Sequence, residues 1–400
     1  MLTGWVASKV GSRARRVLDL GRLIVGATLV LLGFVAVLPA ANDRVWQLSV
    51  VVTEGGHWSV PLCLCLLVPR WRRSGIGISG VAAAGFGTLL LLTPVVRAIS
   101  VGQELPATLQ RRFGSLGAMT PLADPRPAPL VISDLFDGGR SSLSVEVDEH
   151  VYSAPAGKQL GLDLYRPVGS QARLPGVVII HGGSWQGGSR RDFPALNRYL
   201  AARGYLVAAI SYRLAPQFPF PAARDDVAAA IEFLKNNASS LGLDADRLAL
   251  IGRSAGGQLA LISAYTLRDT AIKGVVSYYG PVALRWGYAN PAKLSIIDSS
   301  AILDAYLGGP PDSHAAQYQA ASPLNHVGHA TPPTLLINGL RDELVSPFHA
   351  EFLSDRLLRA RTPHLYLRLP WAVHGCDYLF HGPCGQVTTY AVERFLAAVL

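Results

Sequence analysis

Charged residues are scarce in this sequence: only 16% of its 400 positions are Asp, Glu, Lys or Arg, while half are hydrophobic. That balance leans towards a membrane-associated chain, and the length calls for at least two regions. Cysteine is scarcer still. Four residues are too few for a disulfide scaffold, and their spacing matches no zinc pattern. No two histidines stand four apart with an acidic partner between them, so the sequence offers no metal motif and implies no cofactor. No internal repeat is visible, which removes solenoids and propellers. The net charge of +9 sits almost entirely in the first 112 residues, which carry 12 Lys/Arg against 4 Asp/Glu. This excess lies beside apolar runs. It therefore suits topology signals and anionic headgroups, and a nucleic-acid partner is not expected.

What the chain has instead is long apolar runs. A bilayer crossing takes about 20 apolar residues in a row. Leu23 to Ala41 and Ser74 to Val96 contain no charged residue. In the second, Gly75, Gly77, Gly80, Gly85 and Gly87 leave room for a close neighbour helix. Val45 to Val68 is a weaker third stretch, with Glu54-Gly55-Gly56-His57 at its centre. A mid-membrane carboxylate is costly, so this stretch is either broken or re-entrant, or turns Glu54 towards the bundle. The basic clusters Lys9, Arg13, Arg15, Arg16 and Arg70, Arg72, Arg73 mark the cytoplasmic side if all three stretches cross. The remainder then emerges outside the cell membrane. If the middle stretch does not cross, it stays in the cytoplasm. The expected organisation is a membrane region over 1–101 with two to three spans, a Pro-rich linker over 102–143, and a catalytic domain over 144–400. Membrane lipids are the expected partner, and oligomeric state is left open.

From Ser144 onward, apolar runs bounded by Gly and Pro alternate with amphipathic stretches. This is the pattern of an α/β domain with a mostly parallel sheet. Eight strands are expected: Val145–Tyr152, Leu160–Tyr165, Gly176–Ile180, Leu206–Tyr212, Arg247–Ile251, Lys273–Tyr278, Thr334–Ile337 and Leu365–Leu369. The helices expected between and after them are Asp192–Ala202, Ala222–Asn236, Ala255–Thr266, Pro347–Arg359 and Thr389–Leu400.

One pentapeptide carries chemistry. Gly252-Arg253-Ser254-Ala255-Gly256 matches G-x-S-x-G between an apolar strand and a helical stretch. Such a turn pushes the serine Oγ out of the backbone, and the helix presents its positive end to a developing oxyanion. An inert turn at a helix start would read the same without the strand before it. About 70 residues earlier, His181-Gly182-Gly183-Ser184-Trp185 follows another apolar strand. Gly182 and Gly183 can bring bare N–H groups to an oxyanion, with the N–H of Ala255 as the second donor.

These motifs, together with Ser211-Tyr212-Arg213-Leu214-Ala215-Pro216, resemble the α/β-hydrolase esterases over roughly Val145 to Leu400. The nearest groups are the acetyl-esterase/kynurenine-formamidase-like branch and the hormone-sensitive-lipase-like branch. The latter usually has a third glycine where this chain has Ser184, which favours the former. The resemblance implies an α/β-hydrolase fold with a small cap, and a triad in the order Ser, acid, His. Asp342, after the strand Thr334–Ile337 and a glycine turn, is the expected acid, with Glu343 as the neighbouring alternative. His374, just past the last strand, is the expected base. His381 is its main rival, and His326, His329, His349 and His364 are the others. Ser184, Trp185 and Tyr212 are expected around the substrate, while Asp225 and Asp226 favour a helix dipole and need no catalytic role.

Val282–Tyr318, carrying Trp286, Tyr288 and Tyr306, is long enough to form the cap. Cys376 and Cys384 bracket seven residues just after His374 and would brace that loop as a disulfide if the domain faces outward. The function implied is a membrane-anchored serine carboxylic ester hydrolase acting through an acyl-enzyme on a small ester or lipid-like substrate. An acyltransferase or an amidase/formamidase would use the same triad. A catalytically inactive tethered binding module would be expected to lack one member of it.

Overall fold

The computed structural model describes residues 2–67, 74–114, 125–138, 144–170 and 172–400. Arg70, Arg72, Arg73 and Pro121, and the side chain of Lys9, lie outside what it describes.

Five helices come first: α1 (Leu2–Val37), α2 (Asp43–Gly55), α3 (Ser59–Leu66), α4 (Gly75–Leu91) and α5 (Thr93–Phe113). Among the described residues, two apolar helical segments, Arg13–Val37 and Gly75–Phe113, are long enough to cross a bilayer. Helices α1 and α4 lie side by side and run in the same direction. Gly77 meets Asp19, Gly80 meets Arg22, Gly87 meets Leu29 and Val30, and Gly33 meets Leu90. A Cβ on Gly80 or Gly87 would stand about 2.5 Å from the backbone of α1. Glycine is therefore what permits this contact at Gly77, Gly80 and Gly87, whereas Gly75 and Gly85 of the same small-residue run face nothing within 4 Å. Two parallel neighbours require the chain between them to travel back. That intervening stretch, the weak middle run of the sequence, is broken: α2 ends in a 3-10 turn at Gly56–Trp58 before α3 begins.

Glu54 faces neither lipid nor the helix bundle. Its carboxylate accepts the backbone N–H of Cys384 at 2.8 Å and Trp371 Nε1 at 3.3 Å, inside the catalytic domain. A carboxylate at this position answers orphan N–H groups at the start of the last helix.

The eight strands are β1 (Val145–Ser153), β2 (Leu160–Pro167), β3 (Leu174–Ile180), β4 (Leu206–Ile210), β5 (Leu243–Arg253), β6 (Ile272–Tyr278), β7 (Thr334–Gly339) and β8 (His364–Leu369). They form one sheet in the order β1-β2-β4-β3-β5-β6-β7-β8. The β1–β2 and β2–β4 pairs are antiparallel and the rest parallel. All eight expected strands are present, with ends shifted by a few residues.

The helices that follow α5 are α6 (Asp134–Asp137), α7 (Pro194–Ala201), α8 (Ala222–Asn236), α9 (Ala238–Leu241), α10 (Ala255–Thr266), α11 (Leu284–Ala289), α12 (Ser299–Leu307), α13 (Ala315–Ala321), α14 (Phe348–Arg359) and α15 (Pro383–Val399). The expected start of the last helix at Thr389 is six residues late, because Pro383 suits a first helical turn.

The period of two along each strand splits the interior into two cores. Val178, Ile180, Leu248 and Leu250 pack with α8, α10 and α14 on one face. Val177, Ile179, Ala249 and Ile251 pack with α7 and α15 on the other. Ala98, Leu105 and Leu109 of α5 join this second core. Residues 102–113, expected in the Pro-rich linker, are thus helical and belong to the packing of the sheet. Pro106 is accommodated within that helix, where it removes a single N–H donor. Continuous with the apolar α4, α5 thus joins the core of the sheet, while Leu29, Ala36, Val52, Ala84 and Leu91 of the preceding helices form a cluster of their own.

Candidate active site

Strand β5 ends at Arg253 and α10 begins at Ala255. Ser254 alone makes the turn, with φ +53° and ψ −121°. A non-glycine residue there is strained and is held because both flanking elements are fixed. Two glycines allow the crowding. A Cβ on Gly252 would meet Gly256 O at 2.0 Å, and one on Gly256 would meet Ile180 O at 2.2 Å. The end of β3 therefore presses directly against the start of α10.

The loop after β3 lies over this turn. A Cβ on Gly182 would stand 3.0 Å from Arg253 O and 3.3 Å from the Ser254 Cβ. Gly183 has φ +113°, and Ser184 and Trp185 are also left-handed. Tyr212 Oη donates to His181 O at 3.0 Å, and its ring stacks on His181 at 4.2 Å. Ala255, as the first helical residue, has no carbonyl four residues back to receive its N–H. Gly182 and Ala255 thus stand beside Ser254, with Gly183 next along the loop.

Behind the serine, His374 Nε2 lies 3.1 Å from Ser254 Oγ, and His374 Nδ1 lies 2.8 Å from Asp342 Oδ2. Asp342 Oδ1 accepts the N–H groups of Leu344 and Val345 at 3.0 and 2.8 Å. Those two bonds fix the carboxylate. A carboxylate against Nδ1 puts the ring proton there and leaves Nε2 free to accept from the serine.

Glu343, the alternative acid, points elsewhere: its Oε1 accepts the N–H of Ala40 at 2.9 Å. His381 packs on Phe380 at 5.0 Å and is not at Ser254. His349 lies in α14, is buried, and sits under the N–H groups of Val282 and Ala283 at 3.3 Å. Burial holds its imidazole down to about 4. Asp226, at the start of α8, receives the N–H and the guanidinium of Arg213 at 2.7 and 2.9 Å, so it shapes the loop after β4.

A cavity of about 680 Å³ opens above Ser254 and His374. Ser184 lines it, as do Trp286 of α11 and Ile302 and Leu303 of α12. The segment between β6 and β7 therefore forms a cap of three short helices. Trp185 and Tyr212, expected against the substrate, are buried and do not line this cavity. Trp185 stacks on Tyr306 at 4.1 Å and donates to Gln258 Oε1 at 2.9 Å, which ties the loop after β3 to the cap. Among the described residues, no three His, Cys, Asp or Glu side chains gather as a metal would require.

Two features carried no signal that sequence reading could use. Arg253 Nε donates to Asp377 Oδ2 at 2.6 Å, and Tyr279 Oη donates to Asp377 Oδ1 at 2.6 Å, all three buried. The ring of Tyr279 lies 4.4 Å from that of His374, so this cluster backs the imidazole. Burial and the adjacent Asp377 carboxylate push the Tyr279 phenol well above its ordinary range. Cys376 and Cys384, by contrast, are joined as the disulfide that their spacing suggests, closing the loop just after His374. Finally, Pro39 from the N-terminal region lines the cavity. Arg341 donates to the carbonyls of Val35, Ala36 and Leu38 at the end of α1.

Known proteins agree with this architecture. The BD-FAE family model matches residues 162–357. The chain is similar to the probable carboxylic ester hydrolase LipM of Mycobacterium tuberculosis, with 26% identity over 95% of this chain and 94% of that one. It is 31% identical to the esterase LipC of the same organism, over 56% of this chain and 58% of that one. Among solved structures, an esterase of Pyrobaculum calidifontis superposes with a TM-score of 0.56 and 28% identity, covering 65% of this chain and 88% of that one. With the strand order, the strained serine turn and these likenesses together, the chain is an enzyme of the α/β-hydrolase fold that resembles these carboxylic ester hydrolases.

Proposed function

We propose that this protein is a membrane-anchored serine carboxylic ester hydrolase, with Ser254 as nucleophile, His374 as general base and Asp342 as the residue that orients it. The observation that carries the reading is the unbroken hydrogen-bonded chain from Ser254 Oγ through both nitrogens of His374 to Asp342. As an ester carbonyl enters, Oγ attacks its carbon and the Oγ proton passes to His374 Nε2. Asp342 stabilises the imidazolium. The carbonyl oxygen takes up negative charge against the N–H groups of Gly182, Gly183 and Ala255. The intermediate collapses as the C–O bond breaks and the alcohol leaves with the proton from His374. Water then gives a proton to His374 and attacks the acyl-enzyme. The acid departs and Oγ recovers its proton.

In this reading helices α1 to α4 act as the membrane region, and α5 onward as the catalytic unit. Helices α1 and α4 run parallel, and the catalytic domain follows the C-terminal ends of both. With the basic N-terminal cluster in the cytoplasm, the active site lies outside the cell membrane. The Cys376–Cys384 disulfide agrees with an oxidising compartment.

Labelling intact cells with a membrane-impermeant fluorophosphonate tests activity and sidedness together. Wild type is expected to label from outside, and Ser254→Ala to lose both labelling and ester turnover. Labelling retained in that variant would refute the assignment, and labelling only after lysis would refute the topology.

A further inference from the structure

The wall of the cavity is not built by the catalytic domain alone. Pro39, two residues past the end of α1, faces it together with Leu340 and Phe348. The attachment is specific. Arg341 and Glu343, the two neighbours of Asp342, hold the carbonyls of Val35, Ala36 and Leu38 and the N–H of Ala40. The free carbonyls that end a helix favour a cation in this position. On the other side, Ser295 of the cap donates to Asp43 at the start of α2. The end of α1 is therefore bolted between the acid loop and the cap.

Helix α1 leads an exposed apolar surface up to this point through Ile24, Leu31, Phe34 and Leu38. The charge-free stretch from Leu23 ends at Ala41, so Pro39, just past the helix, lies close to the bilayer surface. Leu340 and Phe348 add exposed apolar area beside it. The cavity thus has an apolar edge at the level of the lipid interface.

Resting on the serine-hydrolase reading above, we infer that the substrates are carboxylic esters dissolved in the bilayer, which reach Ser254 past Leu38 and Pro39. An acyl chain taking this route exchanges lipid for an apolar wall and avoids transfer into water. The anchor then does more than tether the enzyme, since its last turn forms part of the entrance.

The full chain in phosphatidylcholine–phosphatidylglycerol vesicles provides the test, with 4-methylumbelliferyl oleate in the bilayer and p-nitrophenyl acetate in water. Leu38 is exposed and outside the cavity lining. Leu38→Asn makes the entrance polar without adding a charge that would compete for Arg341. Turnover of the oleate ester is expected to fall by about tenfold or more. Acetate turnover and fluorophosphonate labelling stay within about twofold, and Leu38→Phe keeps both activities. Unchanged oleate turnover in Leu38→Asn, or an equal loss of both esters, would overturn the inference. So would a wild type that labels and cleaves the acetate yet ignores the oleate. A wild type that neither labels nor cleaves either ester would instead refute the serine-hydrolase reading beneath it.

Discussion

Asp377 offers the sharpest test of how the site is supported. Its carboxylate is buried and takes two donors at 2.6 Å, Arg253 Nε and Tyr279 Oη. Arg253 is buried as well and has Ser254 as its chain neighbour. Asp377→Ala leaves a guanidinium without its counter-charge in the interior, which costs about 3–5 kcal/mol. The phenol of Tyr279 loses its acceptor at the same time, adding about 1–3 kcal/mol if no water replaces it. For a domain of this size each kcal/mol lowers Tm by about 2–4 °C, so a fall of about 10 °C or more is expected. The pair itself is a different matter. Replacing both ions with apolar residues of similar volume is often close to neutral. The double variant Arg253→Met/Asp377→Leu is therefore expected to recover most of the lost stability. Thermal unfolding of detergent-solubilised full chain, followed for wild type, the single and the double variant, reads both effects. A Tm for Asp377→Ala within about 2 °C of wild type would refute the buried-charge argument. So would a double variant no more stable than the single. Because Tyr279 backs the His374 ring, kcat of the single variant should fall with little change in KM.

Two further expectations concern Gly183 and His349. Gly183→Ala requires a left-handed Cβ that would sit 2.3 Å from Gly187 O, so the loop after β3 must shift. Losing an oxyanion donor in this way should lower kcat by about 10²–10³ while fluorophosphonate still reaches Ser254, and wild-type kcat would argue against the donor role. His349 is held neutral by burial down to about 4, against about 6.5 in the unfolded chain. Below 6.5 the unfolded chain therefore binds a proton that the folded chain refuses. Stability present at neutral pH is lost as pH falls from about 6.5 to 4, by about 2 kcal/mol at pH 5. His349→Gln keeps an acceptor for Val282 and Ala283 and should flatten the fall of Tm between pH 7 and 5. An unchanged slope would show that other groups set it.

Most of the elements and the candidate nucleophile are legible in the residue order itself. Eight strands were legible because each is a short apolar run punctuated by Gly or Pro, and local chemistry sets such boundaries. Ser254 was legible because a strained strand-to-helix turn demands small neighbours in a fixed pattern. Asp342 and His374 followed from chain order once the resemblance was in place, and the meeting of all three is a tertiary fact. Only the folded structure decided the rest. Trp185 is aromatic and adjacent to the glycine loop, yet its left-handed backbone turns it into the cap instead of the cavity. Glu54 read as a carboxylate stranded in an apolar run, because its partners, Cys384 and Trp371, lie more than 300 residues away. Residues 102–113 read as linker because prolines interrupt the region, while packing against the sheet holds them helical. The bolt between Arg341 and the end of α1 has the same origin. A helix terminus exposes carbonyls whatever its sequence, and which distant cation answers them depends on where the fold brings the chain.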